Sequence, residues 1–115
     1  MGRLTTHILD TAHGKPAAAV DVRLYALGEA RELVASATTN DDGRTPGALL
    51  EDDDFMSGIY ELEFDIGAYF GQYGLPRGEP AFLDTVVLRF AVNGDEHYHV
   101  PLLVSPWSYS TYRGS

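Results

Sequence analysis

The sequence predicts an all-β sandwich of seven to eight short strands with one short helix. Three observations carry that expectation. Apolar and polar side chains alternate with a period of two along most of the chain; clusters of Gly, Asn, Asp and Pro interrupt the alternation at short intervals; and one stretch, 66–73 (IGAYFGQY), reads instead as a short helix. Successive side chains on an extended backbone point to opposite sides, so alternation marks a strand with one buried face. Many such strands with frequent turns argue two packed antiparallel sheets.

In chain order, Leu4, Thr6 and Ile8 alternate with Thr5, His7 and Leu9, and the turn His13-Gly14-Lys15-Pro16 follows. Val20, Val22, Leu24 and Ala26 then alternate with Asp21, Arg23 and Tyr25. Residues 30–39 (ARELVASATT) form a less regular strand, closed by the turn Asn40-Asp41-Asp42-Gly43. The acidic run Glu51-Asp52-Asp53-Asp54 lacks the Asp-x-Asp-x-Asp-Gly spacing of a calcium loop and reads as a solvated turn. After Ser57-Gly58, Tyr60, Leu62 and Phe64 alternate with Glu61, Glu63 and Asp65. The helix over 66–73 leads into a Pro/Gly-rich loop, 74–84. Val86, Leu88, Phe90 and Val92 alternate with Thr85, Val87, Arg89 and Ala91, and the turn Asn93-Gly94-Asp95 separates them from two last strands, 97–104 and 107–111. There is no internal repeat, linker or low-complexity tract, so residues 1–115 are expected to form a single domain.

With 115 residues, 44% of them hydrophobic, the chain has the material for one core. No run of eighteen apolar residues is present, which argues against a membrane-spanning helix, and Met1–His7 is too polar for a signal peptide. The absence of cysteine excludes a disulfide scaffold and thiolate metal sites and fits a reducing compartment, with the cytoplasm expected. The net charge of −9 comes from 17 acidic against 8 basic side chains and argues against a nucleic-acid partner. All the bases but Lys15 are arginines, which suit planar, bidentate recognition of carboxylate-like or urea-like groups. On so acidic a chain an anionic ligand needs a local basic pocket, for which Arg44 and Arg113 are the candidates.

Pleating on strand 97–104 puts Tyr98, Val100, Leu102 and Val104 on the core face and His97, His99, Pro101 and Leu103 on the other. By the same parity His7 and Leu9 face away from the core that receives Leu4 and Ile8. An outer face that carries leucines, a proline and histidines is too apolar for plain solvent and suggests a subunit interface, or a pocket at one. His13, inside a Gly/Lys/Pro turn, reads as a surface residue. His97 and His99 with distant His7 also form a zinc-ligand pattern, though without a cysteine or a placed carboxylate. Arg44 follows the Gly43 turn. Tyr112-Arg113-Gly114-Ser115 brings an aromatic ring, a guanidinium and a carboxylate to the end of the final strand.

These residues resemble the transthyretin-related 5-hydroxyisourate hydrolases of purine degradation. The likeness runs essentially end to end. It rests on Leu4-Thr5-Thr6-His7-Ile8-Leu9-Asp10-Thr11-Ala12 with Gly14-Lys15-Pro16-Ala17, on Asp42-Gly43-Arg44, on Tyr69-Phe70, and on His97-Tyr98-His99-Val100-Pro101-Leu102-Leu103. It closes with Ser105-Pro106, Tyr109-Ser110-Thr111 and the highly specific Tyr112-Arg113-Gly114-Ser115. Transthyretin proper, the hormone carrier of the same fold, has other residue types at the positions of His7, Arg44 and His99.

The resemblance implies a transthyretin-like (prealbumin-like) sandwich, a homotetramer with a channel between dimers, and hydrolysis of 5-hydroxyisourate to 2-oxo-4-hydroxy-4-carboxy-5-ureidoimidazoline in urate degradation. No metal or other cofactor is implied. His7, Arg44 and His99 are the expected catalytic residues, and His7, Arg44 and Tyr112 the substrate-binding ones. His97, Arg113 and Ser115 are in support. A neutral imidazole can take a proton from water near physiological pH, a role for His7 or His99. Arg44 can hold carbonyl oxygens and the developing oxyanion. No serine or cysteine has a nucleophile-elbow setting, which favours direct attack by water. Two other readings are a small-ligand carrier of the same fold without catalysis, and a zinc-dependent hydrolase that uses the histidines.

Overall fold

A computed structural model describes residues 2–75, 78–93 and 95–114. Its strands are β1 (Arg3–Thr5), β2 (Ile8–Asp10), β3 (Lys15–Pro16), β4 (Asp21–Leu27), β5 (Arg31–Thr38), β6 (Leu50–Glu51), β7 (Gly58–Asp65), β8 (Thr85–Val92), β9 (His97–His99), β10 (Leu102–Val104) and β11 (Tyr109–Thr111). One helix, α1, spans Ile66–Gly71, and a single 3-10 turn spans Asp52–Asp54. The acidic run is therefore a turn, and it is exposed, as its composition implies.

The first layer is a sheet of order β5-β4-β7-β8, antiparallel throughout. The second is made of two short sheets, β6-β1-β9 and β11-β10-β2-β3, that run into each other. The expected strand 4–9 divides at Thr6-His7, and the expected strand 97–104 divides at Val100-Pro101, so the strand segments outnumber the expected strands. The divided strands stay in parallel register, β1 on β9 and β2 on β10. Backbone bonds from Val100 N–H to Thr5 O (2.9 Å) and from Leu102 N–H to His7 O (2.9 Å) carry the pairing across the break.

Local chemistry explains the break. Thr6 is buried, and its hydroxyl donates to the Val100 carbonyl at 2.6 Å, while Pro101 has no N–H to give to a ladder. Pro101 is consequently buried, although simple alternation puts it on the outer face. Elsewhere the parity holds. Leu4, Ile8, Tyr98, Val100, Leu102 and Val104 fill the core from one layer, and Val22, Leu24, Leu62, Phe64, Val86 and Leu88 fill it from the other.

Two polar arrangements were not legible in the sequence. Asp10 is fully buried, yet its carboxylate accepts from the Tyr69 hydroxyl (2.8 Å) and the His13 backbone N–H (3.0 Å) and contacts His13 Nδ1 at 2.7 Å. Burial raises the Asp10 pKa, and the hydrogen bonds outweigh it, holding the group below its ordinary value. His13 is thus a structural partner that ties the 11–14 turn to α1. On the outer face of the four-stranded sheet, Arg23 pairs with Glu63 and Asp65, Arg31 with Glu61 and Glu63, and Arg89 with Glu61. That ladder occupies three arginines and three of the acids, which leaves few free cations elsewhere.

Candidate active site

The break in the second layer positions the site. Because β1 ends at Thr5, His7 leaves the β1–β9 ladder and pairs instead with Arg44 in an isolated antiparallel bridge. Ile8 N–H, next in the chain, donates to the Gly43 carbonyl at 2.9 Å. The turn that presents Arg44 is organised by Asn40, whose side-chain oxygen accepts from the backbone N–H of Asp42 (3.0 Å) and of Arg44 (3.2 Å). Gly43 has φ of +73°, and a Cβ there would lie 2.6 Å from the Ile8 carbonyl oxygen. Only glycine allows this turn to approach β2 so closely. The sequence Asn40-Asp41-Asp42-Gly43-Arg44 is thus a device that places one guanidinium beside His7.

His7 and His99 meet ring to ring. Their centroids are 4.8 Å apart with 23° between planes, and His7 Nδ1 and His99 Nε2 share a hydrogen bond of 2.6 Å. His99 Nδ1 is held by the Thr5 hydroxyl at 2.7 Å. A chain Thr5–His99–His7 results, which leaves Nε2 of His7 as the terminal atom. A shared proton between the rings requires one nitrogen to donate and the other to accept, so the pair cannot hold both rings protonated in this geometry. Burial lowers the pKa of His7, and the neighbouring His99 and Arg44 lower it further. Burial and then Arg44 lower that of His99. Both rings therefore give up a proton more readily than an ordinary imidazole of pKa 6.5.

Beside this pair opens a cleft of about 520 Å³ lined by Arg3, Thr5, Arg44, Thr45, His97 and His99. His97 is exposed at its rim. The three histidines of the possible zinc pattern do not converge: two bond to each other, and no group of three metal-ligating side chains forms among the described residues.

The tail reaches the site through its backbone. Gly114 bridges His99, with Gly114 N–H donating to His99 O at 2.7 Å, and a Cβ on Gly114 would lie 2.9 Å from Cδ2 of the His99 ring. Arg113, expected to help orient the histidines or bind an anion, turns elsewhere. Its guanidinium donates to Glu96 at 2.6 Å and lies 4.0 Å from the centre of the Tyr98 ring. Tyr112 is 57% exposed and lines a different groove, between β8 and β11. Ser115 lies outside the described residues. Trp107 and Tyr109 are also exposed, so β11 is held by its ladder on β10 rather than by those rings. Sequence reasoning missed Thr5 and Arg3. Thr5 had a usable signal, since it is the residue opposite His99 once the parallel register is known.

A two-layer sandwich with a histidine pair and an arginine on the outer face of its broken-strand layer defines a transthyretin-like fold with titratable groups beside an open cleft. A family model described as HIUase/Transthyretin family matches residues 4–114, and the chain belongs to that family. It is 54% identical over 117 residues to the 5-hydroxyisourate hydrolase of Pseudomonas aeruginosa, covering 100% of this chain and 93% of that one. To the 5-hydroxyisourate hydrolase of Ralstonia nicotianae it is 52% identical, with 100% of both chains covered. Among solved structures, the Klebsiella pneumoniae 5-hydroxyisourate hydrolase superposes with a TM-score of 0.82 at 35% identity over 100% of both chains. An (S)-allantoin synthase superposes with a TM-score of 0.93 at 49% identity; the match covers 99% of this chain but only 44% of that longer one.

Proposed function

We propose that residues 1–115 form a single hydrolase unit that opens the ring of 5-hydroxyisourate in urate degradation. The observation that carries this reading is the hydrogen-bonded His7–His99 pair next to Arg44, in a chain about half identical over its full length to proteins named as 5-hydroxyisourate hydrolases.

The reaction needs a base for water, a donor for the oxyanion and a proton for the leaving nitrogen. When Thr5 accepts from His99 Nδ1, His99 Nε2 accepts from His7 Nδ1, and Nε2 of His7 carries a lone pair that can take a proton from the attacking water. The bond from water oxygen to the ring carbonyl carbon then forms as the carbonyl π pair moves onto oxygen, and re-formation of that carbonyl afterwards breaks the carbon's amide bond. Arg44 holds the oxyanion between those events with its planar fork. The proton gained at His7 returns to the leaving ring nitrogen, so the enzyme ends unchanged. The acid in this last step is His7 protonated at Nε2, with its Nδ1–H still donated to His99.

The sheet edges support a homotetramer. Both β8 and β11 are edge strands, and they flank one apolar groove lined by Val87, Tyr98, Val100, Tyr109 and Tyr112. Unpaired edges with exposed aromatics are places for a second copy to add its strands. A substrate contact from Tyr112 would then be made at or across such an interface. The cysteine-free sequence is compatible with a cytoplasmic setting.

The test is the ultraviolet decay of 5-hydroxyisourate made in place from urate by urate oxidase. Added wild-type protein should accelerate the decay. His7→Ala and His99→Ala should each lose about two decades or more of turnover, the range general acid–base groups supply, with melting little changed. No acceleration by folded wild-type protein would overturn the hydrolase reading and favour a carrier. Full activity in both variants would overturn the roles given to the histidines.

A further inference from the structure

We propose that Arg3, with His97 beside it, forms an outer anion subsite of the same cleft, one strand repeat beyond the histidine pair. The ligand chemistry is an anionic oxygen on a planar, oxygen-rich heterocycle or on its ring-opened carboxylate. The inference rests on the hydrolase reading only for which such molecule is bound in turnover.

The first observation is a census of guanidinium groups. Of the seven arginines, Arg77 lies outside the described residues. Arg23, Arg31, Arg89 and Arg113 are each bonded to a carboxylate. Arg3 and Arg44 are the two described arginines with no such partner, and both line the 520 Å³ cleft. On a chain of net charge −9 this is not the expected distribution, since acids outnumber bases and are available to pair. Even Glu51, opposite Arg3 in the β1–β6 register, makes no ion pair with it. Two unneutralised guanidiniums in one cleft give it a local positive potential on an otherwise acidic surface.

The second observation is register. Arg3 and Thr5 lie two apart on β1, and His97 and His99 lie two apart on β9, with Arg3 opposite His97 and Thr5 opposite His99. The pairs therefore share one face, about 7 Å apart along the strands. Thr5 and His99 belong to the proton chain already described. Arg3 and His97 offer hydrogen-bond donors one step along, on the scale of a fused bicyclic ring. A ligand whose reacting carbonyl is held at Arg44 can place a second anionic oxygen there.

The experiment compares wild type, Arg3→Gln and Arg3→Lys by calorimetric titration with urate, a stable planar anion, at low and high salt, alongside steady-state hydrolysis with and without accumulated product. Wild type should bind urate more weakly as salt rises. Arg3→Gln should weaken urate binding about threefold to fivefold, the range for one exposed charge contact, and Arg3→Lys should recover part of it. In hydrolysis, Arg3→Gln should raise KM or relieve product inhibition while kcat stays near wild type. A changed KM assigns the subsite to substrate, and relieved inhibition assigns it to the nascent carboxylate. Wild type that binds no urate, or an Arg3→Gln variant that matches it in both urate affinity and salt dependence, overturns the proposal. Inactive wild type that still binds urate through Arg3 would instead leave the subsite standing and sink the hydrolase reading.

Discussion

At the residue scale the proposed chemistry falls to His7, Arg44 and His99, with the Thr5 hydroxyl bonded to His99. His7 and His99 are both held below the ordinary imidazole pKa of 6.5, by burial first and by Arg44 besides. A base must be neutral to work, so the acid limb of kcat/KM should lie at lower pH than an ordinary imidazole of pKa 6.5 would give. The sign for stability agrees: between the ordinary and the lowered pKa the unfolded chain binds more protons, so stability falls as pH drops through that window. Replacing Arg44 by Gln removes a cation next to the pair and should shift the acid limb to higher pH, measurable in a pH–rate profile. Arg44→Lys keeps the charge but loses the fork and should cost about two decades in kcat, as loss of an oxyanion donor does. Thr5→Val keeps shape and removes the hydroxyl on His99 Nδ1; a loss of about one hydrogen bond's net worth, roughly tenfold in kcat, should appear with KM little changed.

At the scale of elements, two glycines set where Arg44 and His99 sit. Gly43→Ala would need a left-handed φ for a side chain that disfavours it and would push a Cβ toward the Ile8 carbonyl. A destabilisation of about 1–2 kcal/mol or more is expected, visible as a lowered Tm, together with a displaced Arg44 and reduced activity. Gly114→Ala is a different case. Its extra methyl meets the edge of the His99 ring, which can move only by disturbing its bonds to Thr5 and His7. Activity should fall while Tm barely changes. Deletion of residues 112–115 should likewise abolish hydrolysis in a folded protein, because β11 keeps its ladder on β10. An active truncated protein would show that the Gly114 contact is dispensable. The tail touches His99 through the Gly114 backbone, whereas Arg113 is engaged by Glu96.

At the scale of the whole molecule, the edge strands β8 and β11 and the open cleft point outward. The outer face of the four-stranded sheet is covered by its own ion-pair ladder, which suits solvent, whereas the groove between β8 and β11 exposes Val87, Tyr109 and Tyr112. If copies pair along these edges, Tyr109→Glu puts a charge into the joint and should shift the protein from tetramer to smaller species in analytical ultracentrifugation. Activity should fall with the oligomer if the working site needs the partner to close it. An unchanged tetramer would move the interface to another face.

The layers, their buried faces and the outward side of His7, His97 and His99 were legible from alternation alone, because a strand's side-chain parity is local and survives whatever the strand packs against. The sequence also marked Arg44, through a turn whose Asn and Gly have backbone reasons to be there. What only the tertiary structure decided were the contacts between residues about ninety positions apart. The parallel register of β1 on β9, the break at Thr6 and Pro101, and the resulting Thr5–His99–His7 chain depend on how two distant strands align. So does the neutralisation of Arg113 by Glu96, which removed it from the basic pocket, and the unpaired state of Arg3, which put it there. Charge balance is a property of the folded surface, and no local pattern records which arginine finds a carboxylate.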